Sequence, residues 1–415
     1  MFFAGFPPLI YSLAWQRMLF GAAALDSEAV TLMVAAFGLG LGLGSLAGGW
    51  LSARGGVAPL LLLAAVELWN GVFGLASPQI FGSIGELAMA APPSVAAALA
   101  LMMVPTFLVG VALPMLVGQL ARGCGHAGHA LGLLHGFNIL GAGAACIAGV
   151  LLFSIVGTGG AIYTAVAVNA AVALGALLAY RRACRDLRFA GGEAGAPRLV
   201  RKPMLGLVPL LSLAAVGGFV ALSYQIFFFR TLATITGSGA TALLATLAAF
   251  LVAFASGTRQ AGGQCALLTP DGAMRRALGA LMKGNILGLI FLPLLAHLGW
   301  LDRGVIAAAV LMVYFVARFW GALLPYLAEL GVAADQQAGL RVAVFLLANG
   351  LGAAAGAAVT AFVSAGAVVP VLAGLACAVM LINALAMSRA EKILRASLAM
   401  ALGLLALVVI PHWSM

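Results

Sequence analysis

A helix needs about 20 consecutive apolar residues to cross the hydrocarbon core of a bilayer. Stretches of that kind recur from one end of this chain to the other, and nothing else about it narrows the possible folds so far. Of its 415 residues 64% are hydrophobic and only 8% charged, against roughly 25% charged in an ordinary soluble protein. A soluble core could not hide this much apolar surface, so the sequence specifies an all-α polytopic membrane protein in contact with lipid. The 54 glycines fit that reading, because small residues let membrane helices approach closely.

The pattern predicts about thirteen spans, at 4–24, 30–52, 57–78, 93–120, 130–156, 159–180, 205–235, 238–258, 275–297, 303–328, 338–364, 367–388 and 396–412. The start, MFFAGFPPLIY, lacks the basic opening and small-residue cleavage site of a signal peptide and reads as the first span. Loop charge gives the orientation. The segment RRACRDLRFAGGEAGAPRLVRK carries Arg181, Arg182, Arg185, Arg188, Arg198, Arg201 and Lys202. With it placed inside, 16 of the 21 basic residues are cytoplasmic and only Arg303 is outside. The expected location is a bacterial inner membrane with a cytoplasmic N-terminus. The remaining cations, Arg17, Arg230, Lys283 and Arg318, fall within spans.

The net charge of +10 does not indicate nucleic acid, since the charges are scattered over loops with no basic groove. The five cysteines show no paired spacing. Cys124, His126 and His129 are zinc-ligand types, but a structural zinc site takes four ligands and no partner cluster is nearby. No metal and no cofactor are expected.

The chain also repeats itself. GFPPLIYSLAWQR at 5–17 is answered by GFVALSYQIFFFR at 218–230, with Gly5, Phe6, Leu9, Tyr11 and Arg17 matched 213 residues later. Gly44 matches Gly257 at the same offset; Gly110, Pro114, Asn138 and Gly141 match Gly321, Pro325, Asn349 and Gly352 at 211. These registers divide the chain into a first six-helix half (1–181), a basic linker (182–203), a second six-helix half (204–388) and a C-terminal helix (389–415). Two halves of six spans start on the same side, the parallel duplication of major facilitator transporters.

The motif Gly-Phe-x-x-Leu-x-Tyr with Trp-x-Arg, followed by AAFGLGLGLGSLAGGWLSARGG, PTFLVGVALPMLVGQLARG and HGFNILGAGAACIAGVLL, resembles the membrane domain of the fused major facilitator/spermidine synthase family. The resemblance covers most of 5–180 and, more weakly, the second half. Two departures stand out. The acid that usually follows the motif tyrosine is Ser12 in one repeat and Gln225 in the other, and the chain ends in membrane without a synthase domain. No aminopropyl transfer is implied, and the chain is not expected to be an enzyme.

The glycine run at 38–49 lies inside a membrane span and so reads as helix packing, not as a nucleotide loop. Arg54 after it is either a gating partner or a topology charge. His135 and Asn138 share a helix face, with Asn349 repeating the asparagine; such groups either bridge helices or contact a solute. Ionisable groups inside a membrane are functional candidates by default. They are Arg17, Arg230, Arg318, Lys283 and the acid Glu67, and the motif tyrosines Tyr11 and Tyr224 join them. Arg17 and Arg230 could alternatively snorkel to an interface.

Four cations against one anion argue for an anionic ligand and against a polyamine. Two functions follow. One is a transporter binding a small anionic or zwitterionic solute between the halves, with Arg17, Arg230 and Arg318 as a clamp. The other is a non-transporting membrane scaffold or subunit of a larger complex with a protein partner.

Overall fold

The computed structural model describes residues 1–20, 27–88, 93–189, 202–297 and 303–362. It is all-helical over these residues: α1 (Phe2–Phe20), α2 (Ser27–Arg54), α3 (Pro59–Ala88), α4 (Pro93–Cys124), α5 (Ala127–Ile155), α6 (Gly157–Phe189), α7 (Leu207–Thr236), α8 (Gly239–Cys265), α9 (Pro270–His297), α10 (Arg303–Gly331) and α11 (Ala338–Phe362). Nine of these, α2–α8, α10 and α11, contain stretches long and apolar enough to cross a membrane. The expected spans at 367–388 and 396–412, and linker residues 190–201, lie outside the described residues.

Local chemistry explains where several helices stop. Gly125, with φ +82°, follows α4, and Gly237, with φ +64°, caps α7; glycine enters this left-handed region without the Cβ penalty. Several helices run further than the apolar pattern predicts, among them α8, which continues from the expected end at 258 to Cys265. α6 continues through Arg181, Arg182, Arg185 and Arg188 to Phe189, because arginine, alanine and leucine all favour the helix once the chain has left the apolar layer. α3 runs past Pro78 to Ala88. Proline cannot bond the carbonyl four residues back. Here that carbonyl, on Gly74, accepts instead from the Ser77 hydroxyl at 2.8 Å.

The same repair recurs between helices, and it recurs twice. Pro114 in α4 frees the Gly110 carbonyl, which accepts from Ser45 of α2 at 3.4 Å. Pro325 in α10 frees the Gly321 carbonyl, which accepts from Thr258 of α8 at 2.9 Å. A polar group left unbonded in an apolar layer costs several kcal/mol, so each proline ties its helix to a particular neighbour. Glycine permits the approach: a Cβ on Gly110 would collide with the Leu41 carbonyl, and one on Gly321 with the Phe254 carbonyl.

The packing of α1–α5 is echoed by that of α7–α11. α1 packs on α5 as α7 does on α11, and α2 on α4 as α8 does on α10. Gly5 lies against the Asn138 carbonyl and Gly218 against that of Asn349; Gly44 lies against the Phe107 carbonyl and Gly257 against that of Arg318. Tyr11 stacks on Trp15 with centroids 5.4 Å apart, and Tyr224 on Phe228 at 5.7 Å. The two sets join along α2–α11 and α5–α8. There Gly49 meets Ala343 and Gly132 meets Gly262. The run GLGLGLGSLAGG thus serves two interfaces from one helix. Gly40, Gly44 and Gly48 face α4, while Gly38, Gly42 and Gly49 face α11.

Candidate functional site

Where the two sets meet, the helices enclose adjoining cavities. One, of about 250 Å³, is bounded by α1, α2 and α5 with α7 and α8. Its polar side chains are Ser12, Gln16, His135, Asn138, Gln225 and Thr246; the rest of its wall is apolar. A second, of about 220 Å³, shares His135 and Asn138 and adds Ser45, Glu67 and Asn349. A third, of about 250 Å³, shares Asn349 with the second and lies among α7, α8, α10 and α11. Leu41 of α2 borders all three.

Close backbone packing brings these groups to the centre. α5 is drawn onto α1 through Gly141, whose Cα meets the Phe2 carbonyl, and through Gly5 against Asn138. That contact turns one face of α5, bearing His135 and Asn138, toward the space between the sets. Gln16 is 5% exposed and Glu67 5% exposed although both are polar. Gln16 Nε2, His135 Nδ1 and Thr246 Oγ1 are buried with no hydrogen-bond partner among the described residues. Such groups are uncommon in folded proteins and call for a reason.

The residues singled out from sequence divide sharply. His135, Asn138, Glu67 and Asn349 meet at the central cavities. Asn349 also donates to the Ala214 carbonyl at 3.0 Å, which ties α11 to α7. The cations stand elsewhere, each with a partner. Arg17 lies over the Phe153 ring at 4.2 Å, and Arg230 donates to the Thr360 carbonyl at 2.8 Å. Arg318 donates to Gln260 at 2.7 Å. Lys283 is exposed, 5.7 Å from the Phe319 ring. None of the four borders the three cavities.

Tyr11 and Tyr224 are core residues. Tyr11 accepts from Asn169 of α6 at 2.9 Å, and Tyr224 donates to Asn285 of α9 at 3.4 Å. Their rings fill the notches left by Gly74 and Gly288. Ser12 and Gln225, which follow the motif tyrosines, both border the cavity shared by α1 and α7. Gln16 and Thr246 are additional lining residues. Gln16 sits beside Arg17 inside the repeated motif, which was a usable signal. A lone threonine in an apolar run, such as Thr246, carries none.

Outside the cavities, His126 and His129 join the two sets. Glu329 of α10 meets His126 Nδ1 at 2.7 Å and accepts from the Gly128 amide at 2.9 Å. His129 Nδ1 lies 3.0 Å from the Gly262 carbonyl of α8. Among the described residues no cluster of three His, Cys, Asp or Glu could hold a metal ion.

No family model and no curated protein sequence matches the chain. Solved structures do. The crystal structure of a bacterial homologue of the iron transporter ferroportin, in an outward-facing state, aligns over 100% of this chain and 96% of its own at 12% identity, with a TM-score of 0.52. The POT family transporter PepTSo aligns over 98% of this chain and 96% of its own at 14% identity, with a TM-score of 0.44, too low to support an argument. At these identities the likeness concerns fold alone. The fold is that of a major-facilitator-like multi-pass membrane protein.

Proposed function

We propose that the chain is a membrane transporter working by alternating access, with its solute site in the cavities between two pseudo-symmetric six-helix halves. The observation that carries this reading is the position of those cavities. They lie where α2–α11 and α5–α8, the two joins between the sets, enclose polar side chains in an otherwise apolar wall. Rocking one set on the other about such joins would open the cavities to either side in turn. The halves are taken as 1–181 and 204–388, joined by the basic linker, with an additional C-terminal helix and a cytoplasmic N-terminus in a bacterial inner membrane. The structure it resembles in fold, caught in an outward-facing state, is a homologue of an iron transporter, which agrees with this reading.

An anionic or zwitterionic solute, the class expected from the cation count, would require Arg17 or Arg230 to leave its present partner and turn into the cavity. The individually partnered arginines favour the second reading, a non-transporting scaffold. Labelling decides between the two. In a variant with Ala142→Cys, a cavity-wall position, a transporter exposes the thiol to an impermeant maleimide from each side of sealed vesicles. Reaction from one side only, under every condition, would leave the scaffold.

A further inference from the structure

The cavity bounded by Ser12, Gln16, His135, Asn138, Gln225 and Thr246 has no charged residue on its wall among the described residues, unlike the adjoining 220 Å³ cavity, which includes Glu67. Its polar content is a serine, a threonine, a histidine and three amides. Three of these, Gln16, His135 and Thr246, carry a nitrogen or oxygen that is buried without a hydrogen-bond partner among the described residues. The remainder of the wall is Leu, Ile, Val, Phe, Pro, Ala and Gly. In such a setting a carboxylate or ammonium ion would lose its hydration with no counter-charge to replace it. A neutral polar head would instead satisfy groups that are presently unpaired, while an apolar body would fill the wall.

Resting on the transporter reading above, we infer that this cavity binds a small neutral molecule, largely apolar, with one polar head that both accepts and donates hydrogen bonds, as a primary amide or an alcohol does. Gln16 Nε2 donates to the head's oxygen. Thr246 Oγ1 offers a second bond in either direction. His135 Nδ1 accepts or donates according to its tautomer. Ser12 and Gln225 add hydrogen-bonding dipoles to the wall and no charge. Their identity selects against cations and anions alike, because a charged head would find the same dipoles but no opposite charge.

Paired probes of nearly equal shape test the charge preference: benzamide against benzoate, phenylacetamide against phenylacetate, and hexanamide against hexanoate. The readout is protection of the thiol in Ala142→Cys from N-ethylmaleimide, followed by the mass of the labelled peptide. At least one amide should protect in a saturable way while its carboxylate twin does not. Gln16→Leu and Thr246→Val should each raise the concentration needed by about five- to tenfold, the loss of roughly one hydrogen bond. Arg17→Gln should leave it unchanged. The inference is overturned if no amide protects, if a carboxylate protects as well as its amide, or if both the Gln16 and Thr246 variants respond as the parent does. Two-sided access of residue 142 without probe is measured separately. Two-sided labelling with no amide protection sinks the ligand class and keeps the transporter. Amide protection with one-sided labelling keeps the site and sinks the transporter.

Discussion

Glycine and arginine carry the most informative single positions. At Gly5 an added Cβ would overlap the Asn138 carbonyl, which belongs to backbone and cannot rotate away. Gly5→Ala should therefore destabilise by about 1–3 kcal/mol, the range for overpacking, and lower the thermal midpoint of the purified protein. Gly175, exposed on α6 with nothing within 4 Å of its added Cβ, is the control: Gly175→Ala should be neutral or slightly stabilising, since alanine is the better helix former. A loss at Gly175 as large as that at Gly5 would show that contact with the Asn138 carbonyl is not what sets Gly5 apart. Arg17→Gln removes a cation–ring contact worth about 0.5–2 kcal/mol, and a modest fall in melting temperature is expected. Snorkelling and the clamp make opposite claims about carboxylate binding in this variant, so the protection assay also judges them.

Helix pairs are tied together by hydroxyls that answer prolines. Thr258→Val keeps the shape of the side chain but leaves the Gly321 carbonyl of α10 without the bond that Pro325 made necessary. A loss of about 1–3 kcal/mol is expected for an unsatisfied buried group. Ser45→Ala, whose bond to Gly110 is longer at 3.4 Å, should cost less. Unchanged thermal midpoints in both would refute the repair. A different tie joins α5 to α10. The N-cap residue His126 offers no side-chain cap to α5, and Glu329 bonds the Gly128 amide in its place. An anionic group at a helix N-terminus is further favoured by the helix dipole. Glu329→Ala should loosen this end of the bundle, seen as faster hydrogen exchange at the start of α5 with α1 and α7 unaffected.

Taken together, the eleven described helices form two sets with matching contacts around shared cavities, and this arrangement makes claims about movement and orientation. A disulfide between His126→Cys and Glu329→Cys would fasten the sets at one end. Under alternating access, labelling of Ala142→Cys from that side should cease while labelling from the other continues, and reduction should restore it. Continued labelling from the fastened side would mean the cavity does not open there. Cysteines placed at 190–201 should react with an impermeant reagent only from the cytoplasmic side, as the arginine-rich linker implies. Reaction from outside intact cells would reverse the orientation.

Apolar runs, proline and glycine positions and the 213- and 211-residue registers were enough to read a polytopic helical bundle with repeated contacts, because a membrane requires each span to satisfy its own backbone bonds. Which segments form apolar helices is consequently a local property, legible one segment at a time. Pairing is not. Nothing near Ser45 says that its hydroxyl will meet Gly110, and nothing near Thr246 says that it will face Gln16 and His135 across a cavity. Those outcomes depend on which glycines allow which backbones to touch. The arginines show the same limit from the other side. Their rarity in apolar runs marked them as candidates, but whether a guanidinium ends in a cavity, on an aromatic ring or on a carbonyl is set by neighbours far away in the chain. Phe153 lies 136 residues from Arg17, and Thr360 lies 130 from Arg230. A buried charge goes to the nearest group that can compensate it, and only long-range packing determines which group that is.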